Sequence, residues 1–346
     1  MFVLRKSGRP HHGVVHLVLL LGLVGAFQSE TASAQQYDLY AGLIKSKGYV
    51  VGSPLSQSGF HRWNGDTTWT HIGWNHPHVS AVSILPSRPN VVFLAAANGA
   101  MRSLDGGKSW KIVTGWQVTE LQDVKINPSN PSEIVIAGAY GIWRSQDGGD
   151  SWTDVSDGLK KRFVQRLVYD NSDSNRILAG TDGGVYVSEN HSAWRPLSED
   201  VPVLDLEQSA SDASVWIAGT RGKGVMLSSD GGRTWTYAKG RRVAGMNVYG
   251  ATVDPANAKH LAAAGWKTGV LISNNGGRSW SKRTRGLPTD SFYQVEFDPG
   301  HNGRLWAATI EQGIYYTDDD GKTWTDAGMY GTLVFDLEFV RKEGAK

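Results

Sequence analysis

The segments QVEFDP and FDLEF have similar apolar patterns, which place Glu296 and Glu338 at matching points and Asp336 two residues before Glu338. Carboxyl groups that lie close together raise one another's pKa. A pair about 5 to 9 Å apart can act as the acid and the base or nucleophile of glycoside hydrolysis. These three residues are therefore the candidate catalytic groups. The alternative is that they are solvated, or paired with Lys125 or Arg166, in a polar channel.

Aromatic side chains between the predicted strands could stack on sugar rings or anchor a protein partner. These candidates are Trp74, Trp116, Trp266 and Tyr140. Basic side chains in similar segments would suit an anionic partner or polysaccharide. These candidates are Arg166, Arg221, Arg241, Arg242 and Lys267. The alternative for the aromatic side chains is that they only pack within their loops. The alternative for the basic side chains is that they only keep the protein soluble.

Three histidines, His71, His76 and His78, lie within a short segment and invite comparison with a metal site. Their spacing is short, and no acidic ligand stands among them. We expect neither a bound metal nor a cofactor.

A repeat must position all of these groups. The octapeptide SLDGGKSW, residues 103–110, ends in a tryptophan that recurs at intervals of 41 to 45 residues. Four copies keep the pattern S/T-x-D-x-G-x-S/T-W, a fifth has asparagine in place of aspartate, and the first and fourth are eroded. The seven tryptophans are Trp69, Trp110, Trp152, Trp194, Trp235, Trp280 and Trp324.

Each copy follows two alternating apolar stretches joined by a glycine-containing loop, as in EIVIAGAYGIWRS. Another short strand precedes them and ends in a turn, as in VKINPSNP. Four antiparallel strands in about 42 residues make one blade of a β-propeller. The repeat therefore predicts an all-β fold of seven four-stranded blades.

The motif itself is expected to be the turn between the last two strands of a blade. Its aspartate can accept hydrogen bonds from backbone N–H groups, and its glycine can adopt positive φ. Its tryptophan is expected to pack between neighbouring sheets. We assign a structural role to Asp105, Trp110, Asp147, Trp152, Asp230, Trp235, Asn275, Trp280, Asp319 and Trp324.

The copies SLDGGKSW, SQDGGDSW, SSDGGRTW and TDDDGKTW resemble the Asp-box, or BNR repeat. That repeat occurs in sialidases, xyloglucanase-type glycoside hydrolases, the sortilin family and the photosystem II assembly-factor family. The resemblance covers essentially the whole chain after residue 34, and it implies that the boxes are folding elements on the rim. The Arg-Ile-Pro type motif of sialidases is absent from the sequence. We also expect neither the second propeller of the xyloglucanase type nor the cysteine-rich module of the sortilin family.

The first strands of the blades are expected to line a central channel. One predicted ring of channel-facing residues is Ser83, Lys125, Val168, Asp205, Thr252, Glu296 and Glu338. The second is Ala81, Asp123, Arg166, Val203, Gly250, Gln294 and Asp336. Residues 333–340 match a first strand, and residues 49–53, 60–63 and 67–73 would complete that blade. Both termini would then close the ring and leave no exposed sheet edge.

Residues 1–34 have the pattern of a cleaved signal peptide: basic residues, an apolar run over residues 14–27, and Ala32-Ser33-Ala34. Without them the chain has 32 basic and 32 acidic side chains, so neither nucleic acid nor an anionic membrane is an expected partner. The chain has no cysteine and therefore no disulfide. No later run is long enough for a transmembrane helix. We expect a secreted or periplasmic propeller over residues 35–346.

Two functions remain open on these observations. The first is an exported non-catalytic binding or assembly scaffold, whose propeller face and channel mouth bind a protein or carbohydrate partner. The alternative is a BNR-type glycoside hydrolase that uses the channel carboxylates. The two differ in whether the carboxylates lie in an open pocket flanked by aromatic groups or line a narrow channel.

Overall fold

The structure is a computed structural model that describes residues 36–47, 58–76 and 78–342. Within these ranges the regular structure consists entirely of β-strands, 28 in number, and every pairing between them is antiparallel. The prediction of an all-β fold built from four-stranded antiparallel sheets is confirmed.

Five sheets have four strands each, and their strands are adjacent in the order in which they occur along the chain. The first sheet is β4 (Val79–Ile84), β5 (Val92–Ala96), β6 (Gly99–Ser103) and β7 (Lys111–Ile112). The second is β8 (Leu121–Ile126), β9 (Ile134–Gly138), β10 (Gly141–Ser145) and β11 (Thr153–Asp154). The third is β12 (Val164–Asp170), β13 (Asp173–Thr181), β14 (Gly184–Glu189) and β15 (Arg195–Pro196). The fourth is β16 (Val203–Gln208), β17 (Trp216–Thr220), β18 (Gly224–Ser228) and β19 (Thr236–Tyr237). The fifth is β20 (Gly250–Val253), β21 (Leu261–Gly265), β22 (Gly269–Ser273) and β23 (Ser281–Lys282).

The sixth sheet has eight strands and contains both ends of the described chain. One half is β24 (Phe292–Phe297), β25 (Leu305–Gln312), β26 (Ile314–Thr317) and β27 (Thr325–Asp326). The other half is β28 (Tyr330–Arg341), β1 (Tyr37–Lys45), β2 (Gly59–Trp63) and β3 (Trp69–Ile72). Strand β28 pairs with β1 from Tyr37↔Arg341 to Lys45↔Thr332, and it also touches β25 at Ile310↔Leu333.

In the half of the eight-stranded sheet formed by β28, β1, β2 and β3, the strand that pairs with β28 is not the predicted one. Residues 49–53 lie outside the described residues, and the strand beside β28 is Tyr37–Lys45. Leu39, Ala41 and Leu43 alternate along this strand and are fully buried. This alternation is the signal for a strand with one face in the core.

The hydrophobic core lies between neighbouring sheets. One cluster, for example, combines Val135 and Ile142 of the second sheet with Leu167, Ala179 and Tyr186 of the third. Alternate side chains of each strand point to opposite faces of the sheet, so each four-stranded sheet contributes to two such clusters. This stacking fixes the first strand of every sheet beside the first strand of the next.

The repeated turn has the same hydrogen bonds in each full copy. Asp105 Oδ1 accepts the N–H of Ser109 at 2.9 Å, and Ser103 Oγ accepts the N–H of Gly107 at 2.8 Å. Gly107 has φ 89°, a conformation that favours glycine. Asn275 replaces the aspartate without loss of the main contact, because its Oδ1 accepts the N–H of Ser279 at 3.0 Å.

Several repeat tryptophans also connect one sheet to the sheet before it. Trp152 Nε1 donates to the carbonyl of Val113 at 3.0 Å, and Trp324 Nε1 donates to that of Arg283 at 3.0 Å. Trp69 Nε1 donates in the same way to Ala327 at 2.7 Å, across the two halves of the eight-stranded sheet. The regular spacing of the tryptophans therefore serves the stacking of sheets.

Candidate functional site

The first strands of the sheets share an irregularity near their beginning. In β4, β8, β12, β16 and β24 the pairing register shifts between the first and third residues, which is a β-bulge. A bulge re-aims the side chain of the extra residue. The bulged residues are Ser80, Gln122, Gln165, Leu204 and Tyr293, and all of them line one pocket of about 360 Å³.

One side of this pocket, which we call the aromatic pocket, is a wall of rings. The rings of Tyr249 and Tyr293 are 5.5 Å apart, and Phe335 meets Tyr293 edge-on at 4.9 Å. His78 stacks on Phe335 at 4.5 Å behind the wall. Trp266, in the turn between β21 and β22, also lines the pocket and is 48% exposed. Aromatic faces held in this way can accept a ligand without further ordering of their side chains.

The charged groups of the aromatic pocket are two arginines. Arg166 Nε donates to Asp205 Oδ1 at 3.0 Å, and its Nη2 donates to the carbonyl of Phe335 at 3.0 Å. Arg221 is exposed, and its guanidinium forms no hydrogen bond or ion pair with any residue that the structure describes. Among the described residues that line this pocket, none is an aspartate or a glutamate.

A second pocket of about 440 Å³ lies at the last residues of the same first strands, and we call it the carboxylate pocket. The structure brings the three predicted carboxylates together here. Its ionisable side chains include Lys125, Arg166, Asp205, Glu207, Glu296, Asp336 and Glu338. Arg166 lines both pockets, so its ion pair with Asp205 lies between them.

Asp336 has a structural contact that the sequence did not reveal. Its Oδ2 accepts the N–H of Val82 on the neighbouring first strand at 2.8 Å. Asp123 accepts the N–H of Leu167 in the same way at 2.7 Å. Each of these two carboxylates accepts a backbone N–H from the neighbouring sheet and so links two sheets. Because Asp336 has this structural role, Glu296 and Glu338 are better candidates for reactive groups.

Glu207 is a residue of the carboxylate pocket that the sequence alignment missed. The alignment placed Asp205 in register with Lys125 and Glu296, and this was wrong by two residues. In the structure Asp205 pairs with Gly219 directly after the bulge, as Asp123 pairs with Ala137. Glu207 therefore occupies the place assigned to Asp205. The triplet Asp-Leu-Glu, present at residues 205–207 and again at 336–338, was the available signal.

Enclosure by protein makes the glutamates of the carboxylate pocket weak acids. Burial is the main cause that raises the pKa of Glu207 to about 8 and that of Glu338 to about 8. The pKa of Glu296 is also raised, by burial and then by the charge of Glu207. Glu207 and Glu296 lie close enough for each to affect the ionisation of the other. Val253 N–H donates to Glu207 Oε1 at 2.9 Å.

The predicted binding residues do not form a single site. Trp266, Arg221 and Arg166 line the aromatic pocket, although Arg166 is ion-paired in the channel and is not a free surface cation. Lys267 lies beside Trp266, with its Nζ 6.0 Å from the ring centroid. Trp116 is 85% exposed and borders a separate groove with Trp143 and Trp152. The remaining candidates, Trp74, Tyr140, Arg241 and Arg242, line neither channel pocket.

Comparison with known proteins gives a fold and no family. No family model matches the sequence, and no curated protein matches it. The structure is similar to the GH74 enzyme of Niastella koreensis, with TM-score 0.66, 19% identity and coverage of 83% of this chain and 52% of that one. It is also similar to the GH74 xyloglucanase of Xanthomonas campestris, with TM-score 0.59, 17% identity and coverage of 76% and 49%.

A third similar structure is YCF48 bound to D1 peptide, with TM-score 0.54, 15% identity and coverage of 78% of this chain and 90% of that one. The chain spans about half the length of the GH74 enzymes that it matches. Together with the four-stranded antiparallel sheets, these similarities show a β-propeller fold, which the GH74 enzymes and YCF48 share.

Proposed function

We propose that this protein is an exported, seven-bladed β-propeller that binds a partner at the aromatic pocket without catalysis. The observation that carries the proposal is the composition of that pocket. An aromatic wall, an unpaired arginine and the absence of a carboxylate from the described lining suit recognition and provide no acid and base for hydrolysis.

Seven blades follow if the eight-stranded sheet is counted as two four-stranded halves beside the five other sheets. The contacts between first strands support a closed ring. Asp336 bonds Val82, Ser83 Oγ accepts the N–H of Ile126 at 3.1 Å, and Asp205 Oδ2 accepts the N–H of Ala251 at 2.9 Å. In the proposed ring, β28 is the first strand of the N-terminal blade. Closure by the C-terminal strand would remove the free edges.

Export is proposed from the signal-peptide pattern of residues 1–34. The described residues contain no helix with the length and apolar character that crossing a membrane requires. Intact-mass measurement of the protein secreted or released from the periplasm tests the proposal. A mature chain that begins at Gln35 supports it, and a full-length chain in the cytoplasmic fraction contradicts it.

The partner is proposed to be a polysaccharide or a protein. GH74 enzymes and YCF48 bound to D1 peptide share the fold at low identity, so the fold itself admits both kinds of partner. The similarity carries no residue-level argument, and the aromatic pocket alone supplies the chemistry.

A glycoside hydrolase is the second candidate, and one observation favours it. Glu338 has a pKa raised to about 8 and the pKa of Glu296 is also raised, so each can hold a proton at neutral pH as a general acid must. These groups lie in the carboxylate pocket, however, at the opposite end of the first strands from the aromatic wall. A sugar stacked on Trp266 would not reach them.

The two candidates are separated by incubating residues 35–346 with neutral and anionic polysaccharides. Depletion of the protein by the polysaccharide and release of reducing ends are recorded together. Depletion without release supports the binding scaffold. Release that disappears in Glu296→Gln or Glu338→Gln overturns it. If neither is observed, affinity capture with Trp266→Ala as the matched control tests for a protein partner, and equal capture by both forms contradicts binding at the aromatic pocket.

A further inference from the structure

We propose that the ligand of the aromatic pocket is an acidic saccharide, with a uronic acid carboxylate on Arg221 and a sugar ring against the aromatic wall. This inference rests on the proposed binding function and specifies its ligand. It concerns the end of a saccharide chain, because the pocket is small, about 360 Å³, and Arg166, which bonds the Phe335 carbonyl, lies between it and the carboxylate pocket.

The charge of the pocket favours an anionic ligand. Of its two arginines, Arg166 is already neutralised by Asp205 at 3.0 Å. The guanidinium of Arg221 has no such partner among the described residues, and Arg221 is exposed to solvent. A guanidinium can bind a carboxylate through two parallel hydrogen bonds, so a ligand carboxylate would satisfy it. No carboxylate among the described lining residues competes for this position.

The two sides of the pocket differ in a way that matches a sugar ring. Tyr249, Tyr293 and Trp266 present flat apolar faces on one side. Gln122 and Gln165 present neutral donors and acceptors from the bulges of β8 and β12. A pyranose ring has an apolar C–H face and a rim of hydroxyl groups, so each side of the pocket has a matching side on the ligand. The volume of about 360 Å³ is at the small end of the usual range for ligand pockets and suits a short saccharide end.

An extended peptide fits this pocket less well. Peptides commonly bind by adding a strand to an exposed sheet edge or by lying in an open groove. The first strands of the four-stranded sheets lie at sheet edges, but carboxylates of neighbouring strands already accept backbone N–H groups there, and the bulged residues turn side chains toward the pocket. The carbonyl of Phe335, which could otherwise accept from a peptide N–H, is occupied by Arg166.

Isothermal titration calorimetry with two probes tests the inference: trigalacturonate and a glucuronate trimer, each as the free acid and as the methyl ester. The ester keeps the ring and hydroxyl groups and removes the charge. We expect at least one acid to bind at least about tenfold more tightly than its ester. This is the difference in affinity that one charge-assisted hydrogen-bonded pair between the ligand carboxylate and Arg221 would give. Failure of both acids to bind, or equal affinity of acid and ester, overturns the inference.

Three variants locate the binding. Arg221→Gln should remove the preference for the acid while weak binding of the ester remains, and Trp266→Ala should weaken both. The double variant Arg241→Gln/Arg242→Gln removes two exposed cations that do not line the pocket, and it should bind as the wild type does. If this control instead loses binding and Arg221→Gln does not, the site is elsewhere and the inference is wrong.

The inference and the binding function can fail separately. If a neutral saccharide or a protein binds in a way that depends on Trp266, and neither acid binds, the proposal of an acidic ligand is wrong. The proposed binding function is then still supported. Absence of any Trp266-dependent ligand in the saccharide and protein screens overturns both. The melting curve of each variant should coincide with that of the wild type, since Trp266 and Arg221 are exposed.

Discussion

Arg166 and Asp205 form an ion pair across two neighbouring first strands, with 3.0 Å between Nε and Oδ1. Asp205 also accepts the N–H of Ala251 through its other oxygen, at 2.9 Å. The pair lies where the aromatic pocket and the carboxylate pocket meet. It therefore separates a surface suited to binding from a group of weakly acidic glutamates.

Removing the arginine should destabilise the fold. Arg166→Ala leaves Asp205 without its cation in a buried position, and breaking one partner of a buried pair typically costs about 3 to 5 kcal/mol. We expect a loss of that order in the free energy of unfolding measured with urea. Arg221→Gln is the matched control and should change it by less than about 0.5 kcal/mol. Equal stability of Arg166→Ala and wild type would contradict the structural role of the pair.

The glutamates of the carboxylate pocket should make stability fall as pH rises. Glu207 has an ordinary pKa of 4.5 and a folded-state pKa of about 8, so the folded state binds more protons than the unfolded state between these values. The free energy of unfolding should therefore decrease from about pH 4.5 to about pH 8. Glu338 contributes in the same direction over the same window.

Glu207→Gln tests this pH dependence, because glutamine keeps the acceptor for Val253 and cannot ionise. At pH 8 it should stabilise the fold, on the order of 1 to 3 kcal/mol, and at pH 4.5 its effect should be close to zero. Glu120→Gln, which changes an exposed carboxyl bonded to Tyr140, is the control and should show no such trend. A uniform effect of Glu207→Gln at both pH values would refute the account.

The turn aspartates should act in the opposite direction at lower pH. Hydrogen bonds from Thr234 lower the pKa of Asp230 to about 2, so its contribution is present above the ordinary pKa of 3.8 and is lost as pH falls toward 2. Asp230→Ala should lower the melting temperature at pH 7 by roughly 1 to 3 °C. Asp230→Asn should lower it less, because Asn275 makes the equivalent contact to Ser279. A lower melting temperature for Asp230→Asn than for Asp230→Ala would show that the side-chain acceptor is unimportant.

The C-terminal strand should be essential for the fold. Deletion of residues 334–346 removes most of the pairing between β28 and β1 and the bond from Asp336 to Val82. We expect the truncated protein to lose cooperative thermal unfolding, followed by far-ultraviolet circular dichroism. A cooperative melting curve with an unshifted midpoint would contradict the proposed closure.

The strand pattern and the turns were readable from the sequence because both are local. Alternation of apolar residues identified most strands, and the positions of Asp105, Gly107 and Trp110 identified the turn. The clustering of Glu296 and Glu338 followed from aligning the repeats. Strand β1 was not predicted, because a later apolar segment, residues 49–53, also fits the pattern of a strand.

The aromatic pocket could not be predicted from the sequence in the same way. Tyr293 and Phe335 look like ordinary members of alternating strands, and Phe335 lies opposite a shift in the register of β1. A bulge depends on the pairing of two strands, so it leaves no mark in the spacing of one strand. The misplacement of Glu207 had a different cause, because the repeated Asp-Leu-Glu triplet would have given the correct register.

The most direct test of the central claim compares two variants in one assay. The polysaccharide or protein retained by the wild type is titrated into Trp266→Ala and into Glu296→Gln, with reducing ends measured in parallel. We predict that Trp266→Ala weakens binding at least about tenfold, as removal of a central aromatic contact does. Glu296→Gln should bind as the wild type does, and no reducing ends should appear. Unchanged binding by Trp266→Ala together with release that depends on Glu296 would contradict the claim and assign the function to the carboxylate pocket.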